Sequence, residues 1–98
     1  MYVRQTNLFL KWMKKLKDIQ GKVSILRRVD RIKNGNFGDY KYLGDRVYEL
    51  RVKTGPGYRV YYTIKDDEIV VLLVGGDKSS QNEDILKAKK QEEELSYD

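Results

Sequence analysis

The chain has no cysteine and no histidine among its 98 residues. Disulfide bonds, thiolate chemistry, imidazole acid–base chemistry and the usual zinc sites are therefore excluded. Any catalysis falls to Arg, Lys, Tyr, Asp, Glu, Ser or Thr side chains. We expect neither a metal site nor a cofactor.

Long apolar runs and linker sequences are also lacking. No stretch approaches the roughly 18 apolar residues that a membrane span needs. The N-terminus lacks the charged and then apolar pattern of a signal peptide. A single proline leaves no Pro-rich linker. We expect one domain over residues 1–98, located in the cytoplasm and without membrane contact.

Charge is unevenly distributed along the chain. Residues 1–60 carry 15 Lys/Arg against 5 Asp/Glu, whereas residues 61–98 carry 5 Lys/Arg against 10 Asp/Glu. A basic body with an acidic tail indicates a polyanionic partner for the body, and the alternative is a solvated Lys-rich surface.

The hydrophobic period predicts an α+β fold. Helical spacing predicts a first helix over Asn7–Lys17 and a second that ends at Gly35, with Gly21 breaking the pattern between them. Their short connection predicts an antiparallel helix hairpin. Alternation from Tyr48 onward predicts an antiparallel meander, and Ser79 and Ser80 open a last helix. Residues 1–4 are compatible with an additional strand, so the sheet has three to five strands.

Basic residues share one face of the predicted meander. Leu50 and Val60 must both face the core, which leaves two registers. One places Arg51 opposite Arg59, and the other places Lys53 opposite Arg59. Both put Arg51, Lys53, Arg59 and Tyr61 on the face away from the core. Opposed like charges cost stability, so either Glu49 or a bound phosphate must compensate.

The last strand adds an apolar half to this face. A two-residue turn at Asp66-Asp67 would place Val70, Leu72 and Val74 beside Arg59 and Tyr61. This apolar half requires a cover, either the C-terminal helix or another protein. Separately, Arg27 and Arg31 line the polar side of the second helix, where they are either solvated or bound to backbone phosphates.

Several motifs together resemble the HigB-like, phage-derived branch of the RelE/ParE toxin superfamily. Trp12 follows Phe9 near the N-terminus. The remaining motifs follow in chain order: Gly35-Asn36-Phe37-Gly38-Asp39, Tyr48-Glu49-Leu50-Arg51, Gly55-Pro56-Gly57-Tyr58-Arg59-Val60-Tyr61-Tyr62 and Gly75-Gly76-Asp77-Lys78-Ser79-Ser80-Gln81. The resemblance implies the compact RelE-like fold, with two helices packed on an antiparallel sheet. It also implies the toxin of a type II toxin–antitoxin system.

The resemblance further implies a ribosome-dependent mRNA endoribonuclease that cleaves without metal, by attack of the 2′-OH on the adjacent phosphate. Arg59 would stabilise the phosphate, and Arg51 and Lys78 would be basic catalytic residues. Lys53 would bind RNA nearby, whereas Tyr61 is assigned to RNA binding from face geometry alone. The implied partners are a helix-turn-helix antitoxin, the ribosome and mRNA, with DNA contacted only through the antitoxin.

The sequence departs from RelE at two positions. Glu49 stands where RelE has a basic residue, and no tyrosine follows Lys78 at the RelE spacing. Glu49 is then a candidate base, although ion pairing would lower its pKa and weaken that role. These departures keep two alternatives open: a non-enzymatic gyrase poison like ParE, or an inactive basic binding module.

Overall fold

A computed structural model describes residues 1–95 of the chain. The elements follow in the order β1 (Tyr2–Gln5), α1 (Asn7–Lys15), α2 (Ile19–Lys33), β2 (Tyr40–Gly44), β3 (Val47–Val52), β4 (Tyr58–Lys65), β5 (Ile69–Asp77), a short 3₁₀ turn (Lys78–Ser80) and α3 (Gln81–Leu95). Within these residues, no helix is both long enough and apolar enough to cross a membrane.

The five strands form one mixed sheet in the order β1-β5-β4-β3-β2. Strands β2 to β5 form an antiparallel meander, as the alternation predicts. The edge strand β1 instead pairs with β5 in parallel, from Tyr2 opposite Ile69 to Gln5 opposite Leu72. The prediction of a purely antiparallel sheet is therefore wrong, since local periodicity does not specify the direction of a strand pair formed across most of the chain.

The β3–β4 register is the one that places Arg51 opposite Arg59. The β4–β5 register differs from the prediction because the connection has three residues, so that Lys65 lies opposite Ile69. Asp66 and Asp67 both adopt positive φ angles in this turn, 54° and 58°. Val70 and Leu72 consequently belong to the core beneath α1 and α2, which corrects their predicted position.

A bulge between Tyr61 and Tyr62 then changes the side-chain alternation of β5. Because of this bulge, Leu73 and Val74 both pack in the cluster on the other face, as predicted for Val74 alone. That cluster also contains Ala88 of α3. The protein's own last helix therefore covers this apolar half.

The two N-terminal helices pack on one face of the sheet. Helix α1 contacts β5, whereas α2 contacts β1, β3 and β4, so the predicted antiparallel helix hairpin is not confirmed. Helix α1 ends at Lys15 instead of Lys17. Gly21 lies within the first turn of α2 and does not break it. A side chain at this position would collide with the ring of Tyr58, which explains the glycine.

Two adjacent glycines of β5 allow helices to approach from both sides. A Cβ atom at Gly75 would lie 2.1 Å from the indole of Trp12 in α1. A Cβ atom at Gly76 would lie 1.9 Å from Oδ2 of Asp84 in α3. The glycine pair therefore sets the distance of α1 and α3 from the sheet.

We expect Gly75→Ala to lower the free energy of unfolding by about 1–3 kcal/mol, because the added methyl must displace a packed indole ring. Urea denaturation measures this loss. Adding Trp12→Leu should relieve the clash, so the double variant should lose less stability than the two single variants combined. Strict additivity of the two losses would contradict the proposed contact.

The N-cap of α2 also fixes the start of β4. Oδ1 of Asp18 accepts a hydrogen bond from the backbone N–H of Gly21 at 3.0 Å. Its Oδ2 accepts one from the hydroxyl of Tyr58 at 2.8 Å. Both hydrogen bonds lower the pKa of Asp18, and the one from Gly21 has the larger effect. Burial and the bond to Asp18 raise the pKa of Tyr58 to about 12.

A group with a lowered pKa in the folded state stabilises the fold above its unfolded pKa, about 3.9 for Asp. This contribution is lost as the pH falls through the lower folded-state value. We therefore expect Asp18→Asn to flatten the acid limb of the stability profile, measured by urea denaturation between about pH 2 and pH 5. Tyr58→Phe, which keeps the carboxylate but removes one bond, should flatten it partly. An unchanged acid limb in Asp18→Asn would refute this account.

Candidate functional site

A buried carboxylate lies at the centre of the basic cluster. Glu49 has no exposed side-chain surface. Its Oε1 accepts a hydrogen bond from Nε of Arg51 at 2.9 Å. Its Oε2 lies 3.6 Å from Nε of Arg59 and accepts a hydrogen bond from Nε2 of Gln81 at 2.9 Å. One side chain thus joins β3, β4 and the start of α3.

The sheet register explains this arrangement. Glu49 and Arg51 are alternate residues of β3, so they share a face. Arg59 lies directly opposite Arg51 on β4. Glu49, one of the two compensations that the sequence allowed for these opposed cations, lies between them. Its hydrogen bond, and then its charge, raise the pKa of Arg51.

Both guanidinium groups retain hydrogen-bonding capacity at their outer ends. The side chain of Arg51 is 39% exposed and that of Arg59 is 15% exposed. Nη1 of Arg59 donates to the carbonyl of Gly57 at 3.2 Å. Among residues 1–95, Nη2 of Arg59 and both terminal nitrogens of Arg51 have no hydrogen-bond partner. These donors are available to an anion such as a phosphate.

Lys78 lies at the same end of the sheet. Arg59 and Lys78 both lie beside Gly57: a Cβ atom placed on this glycine would be 3.7 Å from Nη1 of Arg59 and 4.0 Å from Cβ of Lys78. Lys78 is exposed and begins the 3₁₀ turn, whose cap is Asp77. The hydrogen bonds from Ser79 lower the pKa of Asp77, so this carboxylate is anionic beside Lys78. We call Arg51, Arg59 and Lys78 the cation cluster.

The other predicted RNA contacts lie elsewhere. Lys53 is exposed, one residue beyond the end of β3. Arg27 and Arg31 are exposed on α2, which packs on the sheet face opposite α3. Arg27 lines a groove beside β1. The structure therefore places Arg27 and Arg31 on a second basic surface, apart from the cation cluster.

Tyr61 corrects a sequence-based prediction. Its side chain has 0% exposure and packs in the cluster that α3 covers. Its hydroxyl is buried without a hydrogen-bond partner among the described residues, and burial raises its pKa. The prediction that Tyr61 contacts RNA is therefore wrong for this structure. Sharing a face with Arg59 did not imply exposure, because α3 covers that part of the face.

Arg28 is a positioning residue that sequence reasoning missed. It donates from Nη1 to the carbonyl of Arg51, and from Nη2 to the carbonyls of Phe37 and Asp39, each at 3.0 Å. Desolvation lowers its pKa. It thus ties the loop before β2 to the backbone of Arg51. The available signal was its position next to Val29 and three residues after Ile25, at the border of the buried stripe.

Within residues 1–95, no group of three or more His, Cys, Asp or Glu side chains is arranged to hold a metal ion. The cation cluster instead presents fixed positive charge and N–H donors. Such a set suits a phosphodiester, whose oxygens accept hydrogen bonds from planar guanidinium groups.

We expect Glu49→Ala to lower the free energy of unfolding by about 3–5 kcal/mol, because it leaves Arg59 partly buried without its counter-charge. Glu49→Gln, which keeps an acceptor oxygen, should lose less. Urea denaturation measures both. Glu68→Ala, an exposed carboxylate of the β4–β5 turn, is the matched control and should change stability by less than about 0.5 kcal/mol. Equal losses in Glu49→Ala and Glu68→Ala would contradict the buried ion pair.

Comparison with known proteins assigns the chain to a family. The family described as phage derived protein Gp49-like (DUF891) matches residues 11–96. An uncharacterized protein of Haemophilus influenzae is 44% identical over 93 residues, which cover 95% of this chain and 94% of that protein. No solved structure matches the chain. Because the family match covers most of the chain, including Glu49 and all of the cation cluster, the chain belongs to the Gp49-like phage-derived protein family, a toxin-like family of the RelE/HigB type.

Proposed function

We propose that this protein is the HigB-like toxin of a type II toxin–antitoxin system and that it cleaves mRNA on the ribosome. The observation that carries the proposal is the convergence of Arg51, Arg59 and Lys78 at one end of the sheet, with unpaired guanidinium nitrogens. Family membership supports a toxin, and the cation cluster supports a phosphate-containing target.

The proposed reaction is attack of a ribose 2′-OH on the adjacent phosphorus. The P–O5′ bond breaks, a 2′,3′-cyclic phosphate forms and the 5′-oxygen leaves with a proton. Arg59 and Arg51 stabilise the charge that develops on the phosphoryl oxygens. The ammonium group of Lys78 is the nearby exposed donor for the 5′-oxygen. Holding the 2′-OH in line with the leaving oxygen supplies the remaining acceleration.

Glu49 acts through the two arginines in this proposal. It has no exposed surface from which to reach a 2′-OH, so we replace its candidate role as base by a positioning role. Its hydrogen bond to Nε of Arg51 and its ion pair with Arg59 direct the outer nitrogens of Arg51 toward the solvent side. The proton of the 2′-OH then passes to water or to a group of the ribosome.

The second basic surface fits a ribosomal setting. Arg27 and Arg31 lie on the face opposite the cation cluster and are exposed. A protein inserted in a cleft between RNA strands contacts phosphates on more than one side. We therefore assign Arg27, Arg31 and Lys53 to backbone phosphates of the ribosome or the message, without sequence preference. A target on the ribosome implies that the protein acts in the cytoplasm.

The proposed regulator is a helix-turn-helix antitoxin, by resemblance to HigB-like systems. It would hold the toxin in an inactive complex and contact operator DNA, so that the toxin meets DNA only through its partner. The reading frame beside this gene should therefore encode a small protein of that type.

A second candidate function is a non-enzymatic poison of DNA gyrase. The observation that favours it is the burial of Glu49, which leaves no exposed carboxylate between Arg51 and Arg59. A binding poison needs no acid or base, and the basic cluster would then contact DNA or an acidic protein surface. The remaining alternative is an inactive basic binding module, which would use the same cation cluster but would not be toxic.

We expect Arg59→Ala to lower mRNA cleavage by about 100- to 1,000-fold, because it removes a charged donor at the phosphate. Primer extension on mRNA from an in vitro translation reaction measures the new 5′ ends. Lys14→Ala, which removes an exposed cation of α1 on the other face of the sheet, is the matched control and should cleave normally.

Full cleavage by Arg59→Ala would refute the proposed site. Absence of new mRNA ends, combined with gyrase-dependent DNA breaks, would select the gyrase poison. Normal growth of cells that express the wild-type protein alone would select the inactive module.

A further inference from the structure

A groove beside the cation cluster has its own recognition chemistry. It lies between α1 and α3, over the end of β5, and has a volume of about 330 Å³. This volume is at the lower end of the roughly 300–1,000 Å³ range of small-molecule sites. We call it the Trp12 groove. It is lined by Leu8, Lys11, Trp12, Lys15, Val74, Gly75, Gly76, Asp77, Ser80, Asp84 and Lys87.

The floor of the Trp12 groove is an unpaired strand edge. Strand β1 pairs with β5 only as far as Leu72, and Thr6 then binds the carbonyls of Leu72 and Leu73. Beyond this point no strand lies beside β5 on the edge that β1 occupies further back, among the residues described. The two glycines there carry no side chain to cover the backbone. Gly75 and Gly76 are themselves buried between Trp12 and Asp84, so a ligand in the groove meets mainly its walls and its rim.

The walls combine an aromatic ring with a buried carboxylate. Trp12 stands on one side, with its indole against Gly75. Asp84 stands on the other side and is only 6% exposed. Its Oδ2 accepts a hydrogen bond from Ser80 at 2.5 Å, whereas Oδ1 has no partner among residues 1–95. A carboxylate so placed accepts from amino and imino groups of a ligand.

The rim of the Trp12 groove is positively charged. Lys11 and Lys15 lie one turn apart on α1, and Lys87 faces them from α3. The cations on both sides favour a ligand whose flat part enters the groove and whose anionic part stays at the rim. A nucleotide has this division between base and phosphate.

The position of the Trp12 groove connects it to the cation cluster. Gly76, on its floor, is the cross-strand partner of Arg59. Paired residues of adjacent antiparallel strands are about 5 Å apart. A base in the groove therefore places its own or the neighbouring phosphate close to Arg59 and Lys78.

We propose that the Trp12 groove binds one base of single-stranded RNA, beside the phosphate held by the cation cluster. The base stacks on Trp12, as bases do on aromatic side chains. Asp84 accepts from its edge. The exocyclic amino group of adenine, cytosine or guanine reaches the carboxylate freely, whereas the imino N3–H of uracil lies between two carbonyl oxygens that the carboxylate repels, so uracil binds less tightly. The choice of RNA as the ligand rests on the proposed function, but base binding is measured without cleavage.

The test uses the single tryptophan of the chain as reporter. Purified protein is titrated with AMP, CMP, GMP, UMP and inorganic phosphate while Trp12 fluorescence is recorded. We expect the three amino-bearing nucleotides to quench the signal with dissociation constants about tenfold lower than that of UMP. Phosphate alone should leave the fluorescence unchanged.

Variants separate the roles of the walls and the rim. Asp84→Asn should reduce the preference over UMP to less than about twofold, because an amide presents both a donor and an acceptor. Lys11→Ala should weaken all four nucleotides several-fold. Lys14→Ala, on the same helix but outside the groove, is the matched control and should bind like wild type. If Asp84→Asn fails to fold, the contrast between Lys11→Ala and Lys14→Ala still tests the groove.

Absence of quenching at millimolar nucleotide would overturn the proposal. It would also be overturned if UMP bound as tightly as the other three nucleotides and Asp84→Asn changed none of these affinities. Selective nucleotide binding in a protein that cleaves no mRNA would support the groove and reject the nuclease. Cleavage without nucleotide binding would do the reverse, so the two proposals fail separately.

Discussion

The buried carboxylate of Glu49 is the interaction on which the functional end of this fold depends. Opposing Arg51 and Arg59 across two strands would be unfavourable without a negative charge between them. Burying Glu49 would be unfavourable without two guanidinium groups and the amide of Gln81. The charge of Glu49 compensates the repulsion between the arginines, and the arginines compensate the burial of Glu49. The hydrogen bond from Gln81 attaches the start of α3 to the sheet.

The two faces of the sheet have different physical characters. The face beneath α1 and α2 is an apolar core, which supplies most of the hydrophobic stabilisation. The interface with α3 is smaller and includes the buried carboxylates Glu49, Asp84 and Glu92. Polar contacts at this interface need specific partners and geometry. The cation cluster and the Trp12 groove both lie where this polar interface meets solvent.

The sequence predicted local features well and long-range features less well. A period of two placed Arg51 and Arg59 on one face. The first helix begins at Asn7, and Gly35 follows the end of the second helix, both as expected. The parallel pairing of β1 and the bulge in β5 depend on contacts that no short window contains. The burial of Tyr61 and the clamp formed by Arg28 likewise depend on tertiary packing. The shared face of Arg51 and Arg59 could therefore be predicted, but not the burial of Tyr61 beside them.

The most direct test of the account is whether RNA contacts the arginines that Glu49 holds. A 2′-O-methyl RNA trinucleotide, which cannot be cleaved by 2′-OH attack, is titrated into ¹⁵N-labelled protein while the arginine Nε–Hε resonances are followed by NMR. The account predicts that the resonances of Arg51 and Arg59 shift, with smaller changes at Arg27 and Arg31. Shifts confined to Arg27 and Arg31, with Arg51 and Arg59 unchanged, would contradict it.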